Sequence, residues 1–221
     1  MKAFYITLGL VAVIGVGILG YLMARPADPG LPANIVISPS DTAGFAGYVL
    51  GSDSALVEVT EYSDYQCPAC QGFALIQFPT VKERLIDAGL VRWRHRDFPL
   101  PQHPAGRAAS HSAACADEQG RFWEQHDAVF EGQSEWADAR NPVRVFRSYA
   151  RRLGLDLGAY DECMRSARYA GRIQASVESG VRIGVSSTPT FLLNGRLVTA
   201  ASVTYDRLRV LVDSLKTPAA P

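Results

Sequence analysis

Two cysteines lie three positions apart at the predicted start of a helix. The stretch EYSDYQCPAC, residues 61–70, follows a strand-like run and contains Cys67 and Cys70. A cysteine at a helix N-terminus faces unpaired backbone N–H groups and the positive end of the helix dipole, which stabilise its thiolate. Cys67 is therefore the predicted nucleophile. Cys70, one turn further on, is placed to attack any mixed disulfide that Cys67 forms with another protein.

A zinc site and a structural disulfide are the alternatives for this pair. Zinc needs two further ligands, usually from a second CxxC or an HxxxH run, and the sequence contains neither. His111 and Cys115, four positions apart on a predicted helix, can hold a metal or can simply line a core. We predict no metal site. A disulfide within CxxC closes so small a ring that it gains little loop entropy, so redox chemistry is the favoured interpretation.

The composition permits a folded core and gives no sign of nucleic-acid binding. Of 221 residues, 48% are hydrophobic, and 22 basic residues balance 22 acidic ones. Such a balance provides no strong field for a charged partner. We therefore infer the partners from the candidate site rather than from net charge.

Residues 4–23 are uncharged over twenty positions, enough to cross about 30 Å of hydrocarbon as a helix. Signal-peptide cores usually run about 7–15 residues, so an uncleaved anchor is favoured over a cleaved signal. Four cysteines behind such a segment indicate an oxidising, extracytoplasmic location, either the periplasm or the outer face of the cytoplasmic membrane.

Hydrophobic periodicity predicts a strand–helix–strand unit followed by a helical region. Residues 55–62 and 90–98 read as strands flanking the helix that starts at Pro68, which indicates a parallel sheet. Pro79 is expected to kink that helix. Residues 105–184 follow a helical pattern that predicts four or five helices. The expected breaks are near Gly120, residues 132–142, Gly154 and Gly158.

The end of the chain predicts a hairpin and a last helix. Residues 190–193 and the run RLV at 196–198 flank Asn194-Gly195, which is a strong hairpin-turn signal. A helix over about 202–215 follows.

Three separated motifs resemble those of one family. EYSDYQCPAC at 61–70, HPAGRAASHSAACADEQGRFWEQHDAVF at 103–130 and SSTPTFLLNGR at 186–196 are together similar to the DsbA-like thiol:disulfide oxidoreductases. The resemblance covers about residues 45–215. It implies an α/β thioredoxin fold, a central mixed sheet flanked by helices, with an inserted all-helical subdomain. The implied segments are 1–25 (membrane anchor or signal segment), 26–43 (proline-rich linker), 44–104 (first part of the thioredoxin fold), 105–184 (helical insertion and return helix), 185–217 (second part of the fold) and 218–221 (tail).

The resemblance also implies substrate-binding residues. Pro189 matches the family's cis-proline, which lies beside the CxxC and lets the preceding backbone pair with an extended substrate strand. The hydroxyl of Thr188 can hydrogen-bond near the Cys67 sulfur. Pro68 and Ala69, between the two cysteines, complete the expected substrate-binding set.

Three further residues receive roles from the resemblance. Glu61 matches a buried acid that accepts and returns the proton of the second thiol, although a strand-end glutamate in water is the alternative. Cys115 and Cys163 match a second cysteine pair. A bridge between them is expected to be structural, with an auxiliary redox pair as the alternative.

The implied function is an extracytoplasmic thiol–disulfide oxidoreductase that introduces disulfides into reduced, unfolded exported proteins without a cofactor. The resemblance implies that a membrane quinone-linked oxidase, of the DsbB or vitamin-K-epoxide-reductase (VKOR) type, regenerates the disulfide. A reductase or isomerase of the same fold remains an alternative. So does a non-catalytic peptide-binding or chaperone module with a structural disulfide.

Overall fold

The computed structural model describes Thr7, Gly9, residues 11–17 and residues 35–216. The chain divides into two compact units, Met1–Gly30 and Leu31–Pro221. In the first unit the described residues are helical, and among all described residues no helix has both the length and the apolarity needed to cross a bilayer. Most of the predicted anchor lies outside the described residues. The same holds for residues 26–34 of the predicted linker and for the tail.

In the described part of the chain, five strands form one mixed sheet in the order β1-β3-β2-β4-β5. Strands β2 and β3 are parallel, as the strand–helix–strand prediction required, and all other neighbours are antiparallel. Strand β1 was not predicted, because its three residues are too few to show a hydrophobic period. The strands are β1 (Tyr48–Leu50), β2 (Val57–Ser63), β3 (Val91–Asp97), β4 (Thr190–Leu193) and β5 (Arg196–Val198).

Within residues 35–216, which the structure describes, ten α-helical segments accompany the sheet. They are α1 (Pro39–Thr42), α2 (Pro68–Gly72), α3 (Phe78–Val81), α4 (Gly106–Asp117), α5 (Phe122–Glu131), α6 (Gln133–Trp136), α7 (Pro142–Arg152), α8 (Leu157–Ser166), α9 (Ala170–Arg182) and α10 (Tyr205–Lys216). A 3₁₀ turn, Ala200–Val203, precedes α10. Helices α4 to α9 lie between β3 and β4 and form the predicted helical insertion.

The insertion contains six helices rather than the predicted four or five. The short helix α6 lies within a segment expected to be a break. A further break occurs at Ala167, whose backbone is left-handed with φ 51° and ends α8. Gly158, expected at a break, lies inside α8 instead, because the Asp156 side chain caps the helix through the N–H groups of Gly158 and Ala159.

The helix that follows Cys67 is continuous but irregular. Between α2 and α3, and again after α3, it widens into π-helical turns, Phe73–Gln77 and Lys82–Ile86. Pro79, in the first turn of α3, lies directly after the first of these turns. A π-helical turn redistributes backbone hydrogen bonds, so the missing N–H of Pro79 is tolerated there without a break in the helix.

The predicted hairpin is confirmed. Strands β4 and β5 pair with Leu193 opposite Arg196, and the two turn residues between them have positive φ, 46° at Asn194 and 80° at Gly195. Two consecutive positive φ values are typical of the type I′ turn that Asn-Gly favours.

Helices cover both faces of the sheet. On one face Val59 and Trp93 pack with Phe73 and Phe78 of the helix that begins at Pro68. On the other face Tyr62 and Phe98 contact α9, where a side chain at Gly180 would come within 2.7 Å of the Phe98 ring. The carboxyl end of β2 is thereby fixed directly ahead of Cys67.

Candidate active site

Cys67 precedes α2, and Cys70 lies in its first turn. Cys67 is the N-cap residue with an extended backbone, and Pro68 takes the first helical position, where an N–H would have no partner. Pro68 and Ala69 are exposed, whereas Cys67 is 6% exposed and Cys70 is fully buried. Both cysteines are free thiols in this structure. A partner protein therefore reaches the pair from the Cys67 side.

Hydrogen-bond donors lower the pKa of Cys67 to about 5. The largest cause is the thiol of Cys70, which donates to the Cys67 thiolate. The Thr188 hydroxyl and the backbone N–H groups of Cys70 and Ala69 lower the pKa further, and burial opposes them. Cys67 is therefore a thiolate at neutral pH, the form that attacks and leaves in disulfide exchange.

Burial raises the pKa of Cys70 far above that of an ordinary thiol, and the neighbouring Cys67 raises it further. The Asp64 backbone N–H and the Ser63 hydroxyl act in the opposite direction but do not overcome burial. Cys70 therefore stays protonated until a base removes its proton.

Pro189 and Thr188 lie next to the Cys67 sulfur. The Thr188–Pro189 peptide bond is cis, and the Cys67 sulfur lies 3.4 Å from the Thr188 carbonyl oxygen, to which its thiol donates when it is protonated. The Thr188 hydroxyl oxygen is buried and makes no hydrogen bond to any group the structure describes. Its proton is therefore free to turn toward the Cys67 thiolate.

Glu61 is buried in β2. Glu61 is 3% exposed, and its carboxylate accepts a hydrogen bond from Trp93 Nε1 at 3.2 Å. Because side chains alternate along a strand, Glu61 points to the same face as Val59, the face that the Cys67 helix covers. The structure thus places this carboxylate inside the protein rather than in water.

Side chains distant in sequence hold the loop before Cys67, and sequence reasoning missed them. Gln133 of the helical insertion donates to the carbonyl oxygens of Tyr65 at 2.6 Å and Cys67 at 3.3 Å. Gln66 donates to the carbonyl of Ala137 at 3.0 Å. No local pattern marks a glutamine for such a contact, because its partner lies more than sixty positions away.

Asp64 shapes the same loop. Its carboxylate accepts hydrogen bonds from the backbone N–H groups of Gln66 and Leu100, and His103 Nδ1 lies 2.6 Å from it. The Asp64 carboxylate therefore stabilises the turn that precedes Cys67.

A family model described as Thioredoxin matches residues 45–214. The chain belongs to this thioredoxin family. Among solved structures, the chain is similar to oxidised BdbD from Bacillus subtilis, with a TM-score of 0.66 and 22% sequence identity. The match covers 86% of this chain and 98% of BdbD. The predicted fold, a thioredoxin sheet with a helical insertion, is confirmed.

Two curated relatives differ in length. The probable disulfide bond formation protein D of Bacillus anthracis is 25% identical, with 74% of this thioredoxin-family chain and 76% of the relative covered. The Na(+)/H(+) antiporter NhaA 3 of Salinispora tropica is 42% identical over 150 residues, 67% of this chain but 22% of the antiporter. The chain thus spans less than a quarter of the length of that antiporter.

A second pair of cysteines lies in the helical insertion of this thioredoxin-family chain. Cys115 of α4 and Cys163 of α8 form a disulfide with a Cα–Cα distance of 5.7 Å, and both are fully buried. His111 lies beside Cys115, with ring nitrogens 3.9 and 4.0 Å from its sulfur. Within the described residues these three form the one group with metal-ligand geometry, but its two sulfurs are bonded to each other.

The rate of Cys67 alkylation should depend on pH with an unusually low midpoint. With a pKa of about 5, the rate of iodoacetamide labelling should reach half of its maximum near pH 5 and stay flat above about pH 7. An ordinary thiol would titrate near 8.5. Mass spectrometry of the labelled, reduced chain measures this rate site by site, and Cys70 should remain unlabelled throughout.

The Thr188→Val variant provides a matched comparison with the wild type in this labelling experiment. Valine keeps the shape of threonine but removes the hydroxyl that stabilises the thiolate, so the labelling midpoint should move to higher pH. An unchanged midpoint would contradict the stabilisation of the Cys67 thiolate by the Thr188 hydroxyl. A wild-type midpoint near 8.5 would contradict the stabilised thiolate itself.

Proposed function

We propose that this chain is an extracytoplasmic thiol–disulfide oxidoreductase of the DsbA type, which introduces disulfide bonds into exported proteins. The observation that carries the proposal is the asymmetry of the CPAC pair. The pKa of Cys67 is lowered to about 5 while burial keeps Cys70 protonated. The likeness to the Bacillus anthracis relative, named a probable disulfide bond formation protein, supports it.

The chemistry proceeds by exchange of sulfur–sulfur bonds. A client thiolate attacks Cys67 in the Cys67–Cys70 disulfide, a client–Cys67 bond forms, and Cys70 leaves as a thiolate that takes up a proton. A second client thiolate then attacks the client sulfur, and Cys67 leaves as a stable thiolate. The client is oxidised by two electrons and the pair is reduced by two. The stabilised Cys67 thiolate favours the reduced enzyme, hence oxidation of the client.

Roles for the surrounding residues follow from their positions. Thr188 and cis-Pro189 lie beside the nucleophile and would pair with an extended client segment through main-chain groups, while exposed Pro68 and Ala69 complete the contact surface. Glu61 is the proposed acid and base for Cys70. The buried Cys115–Cys163 disulfide is proposed to be structural, because neither sulfur lies at a helix start that would activate it.

The proposed location is the outer face of the cytoplasmic membrane or the periplasm, with residues 4–23 as an anchor. The support is the uncharged run itself and the presence of a disulfide, which persists in oxidising compartments. An anchored enzyme would meet a membrane quinone-linked reoxidase, of the DsbB or VKOR type, at high local concentration. Reduced, unfolded exported proteins are the proposed clients.

The redox equilibrium with glutathione tests the direction of electron flow. We expect a reduction potential closer to about −120 mV, typical of a strong oxidant, than to the value of about −270 mV found for thioredoxin. Alkylation of samples equilibrated in glutathione buffers, followed by mass spectrometry of Cys67 and Cys70, measures the potential. A value near that of thioredoxin would instead favour a reductase.

A further inference from the structure

A buried histidine lies beside Glu61 on the covered face of the sheet. In the parallel pairing of β2 with β3, Glu61 and His95 are direct partners. Neighbouring strands are about 4.8 Å apart, so side chains on one face at partner positions are adjacent. Both residues point to the buried face, and His95 is fully buried. A titratable ring thus stands next to the carboxylate that serves Cys70.

A second buried histidine lies between His95 and the protein surface. The ring of His126, in α5, lies 5.0 Å from the ring of His95 between centroids, and the two rings are perpendicular. His126 Nδ1 lies 2.8 Å from the carboxylate of Asp127. The His126 side chain is 3% exposed, whereas that of Asp127 is 51% exposed. Glu61, His95, His126 and Asp127 therefore form a row from beneath the active site to solvent, here called the histidine row.

Acidic and aromatic side chains surround the ring of His95. Neither ring nitrogen makes a hydrogen bond to a described group. The Asp97 carboxylate, from the same strand, lies 3.6 Å from His95 Nε2. Tyr48 of β1 is its other cross-strand partner, and the Tyr65 ring lies 5.5 Å away. His95 thus lies between two buried acidic side chains, its strand partner Glu61 and its strand neighbour Asp97.

The protonation state of His126 suits a residue that transfers protons. Burial lowers the pKa of His126, His95 lowers it further, and hydrogen bonding to Asp127 raises it. The ring is therefore neutral near pH 7, with one nitrogen able to accept a proton while the other releases one. A histidine held in this way next to a surface carboxylate can accept and release a proton.

We infer that the histidine row carries protons between Glu61 and solvent during disulfide exchange. The inference rests on the proposed function and goes beyond it, because it assigns roles to His95 and His126 as positioning and proton-holding residues. When a client attacks Cys67, the Cys70 thiolate takes a proton from Glu61. Glu61 is then reprotonated through His95 and His126 from water at Asp127. When Cys70 resolves a mixed disulfide, the proton moves in the opposite direction along the same row.

Resolution of a glutathione mixed disulfide tests the row. The reduced full chain is mixed with oxidised glutathione, so that Cys67 forms a disulfide with glutathione, and Cys70 then displaces the glutathione as it loses its proton. Acid quenching and mass spectrometry give the resolution rate between pH 5 and 9. In the His126→Gln and His95→Gln variants we expect this rate to be about tenfold lower at pH 7, with an altered pH profile.

Small buffers distinguish proton transfer from packing. Free imidazole should restore the rate in the His126→Gln variant in proportion to its concentration, because it can reach the protein from the Asp127 side. The labelling midpoint of Cys67, near pH 5, should stay where it is. The matched control is His111→Gln, which removes an equally buried histidine outside the row. This control should keep the wild-type resolution rate and pH profile.

Several results would overturn the inference. One is a wild-type rate and pH profile in both His126→Gln and His95→Gln variants. Another is a slower rate that imidazole does not restore and that accompanies a lower thermal stability, since that result indicates a packing role. A wild-type chain in which Cys67 never forms the glutathione disulfide would contradict the proposed function itself, and this outcome is seen before any variant is made.

Discussion

Replacing Cys67 with alanine is expected to abolish the oxidation of reduced, unfolded proteins by this chain. Cys67 is the only one of the two CPAC sulfurs with any exposure, and its thiolate is the stabilised one. Without it, neither attack by a client nor release of the oxidised client can occur. The measurement is the rate of disulfide formation in a reduced model protein, such as unfolded ribonuclease, with the oxidised enzyme in catalytic amounts and an oxidant present. The expected loss is at least a hundredfold.

The Cys115→Ala/Cys163→Ala double variant is the matched control for this experiment. Well below its unfolding temperature, this variant should keep the wild-type rate of disulfide formation, because the two sulfurs that it lacks are fully buried in the wild type. Loss of activity in a control that remains folded would contradict the structural role and favour an auxiliary redox pair. Residual activity in Cys67→Ala close to wild type would remove Cys67 from the mechanism.

The same double variant should be markedly less stable. The Cys115–Cys163 bond joins residues 48 positions apart, and a loop of that size is expected to contribute on the order of 4 kcal/mol by restricting the unfolded chain. For a domain of this size each kcal/mol corresponds to about 2–4 °C, so the Tm should fall by about 8–16 °C. Thermal unfolding followed by circular dichroism, with the wild type under oxidising conditions, measures the difference.

A small change in Tm would have a specific meaning. It would indicate that α4 and α8 are held by their packing alone, around the cluster that includes Tyr160 and Leu155. Adding a reductant to the Cys67→Ala/Cys70→Ala variant gives an independent comparison, because this variant lacks the active-site pair and the reductant then acts on the Cys115–Cys163 bond.

Features governed by local chemistry could be predicted from the sequence. Cys67 was expected at a helix start because Pro68 favours the first helical position, and the structure has Cys67 as N-cap. The hairpin was expected from Asn194-Gly195, since few other residues tolerate two successive positive φ values. In both cases the information lies within a few residues of the feature.

Features that depend on distant contacts could not be predicted. Strand β1 exists because its three residues pair with β3, about forty-five positions later. The approach of His126 to His95 requires the helical insertion to fold back over the sheet, and Gln133 reaches the Cys67 loop for the same reason. The four histidines have no spacing that requires metal binding, and their different surroundings become visible only in three dimensions.

Trapping of client proteins tests the central claim, that Cys67 exchanges disulfides with other proteins. The Cys70→Ala variant keeps the nucleophile but lacks the thiol that resolves mixed disulfides. Incubated with an unfolded protein that carries activated disulfides, it should accumulate covalent complexes that a reductant releases and that peptide mapping locates at Cys67. The Cys67→Ala variant should yield none. If Cys70→Ala forms no complexes either, the chain is not an exchange enzyme, and a peptide-binding role for the groove beside Pro189 takes its place.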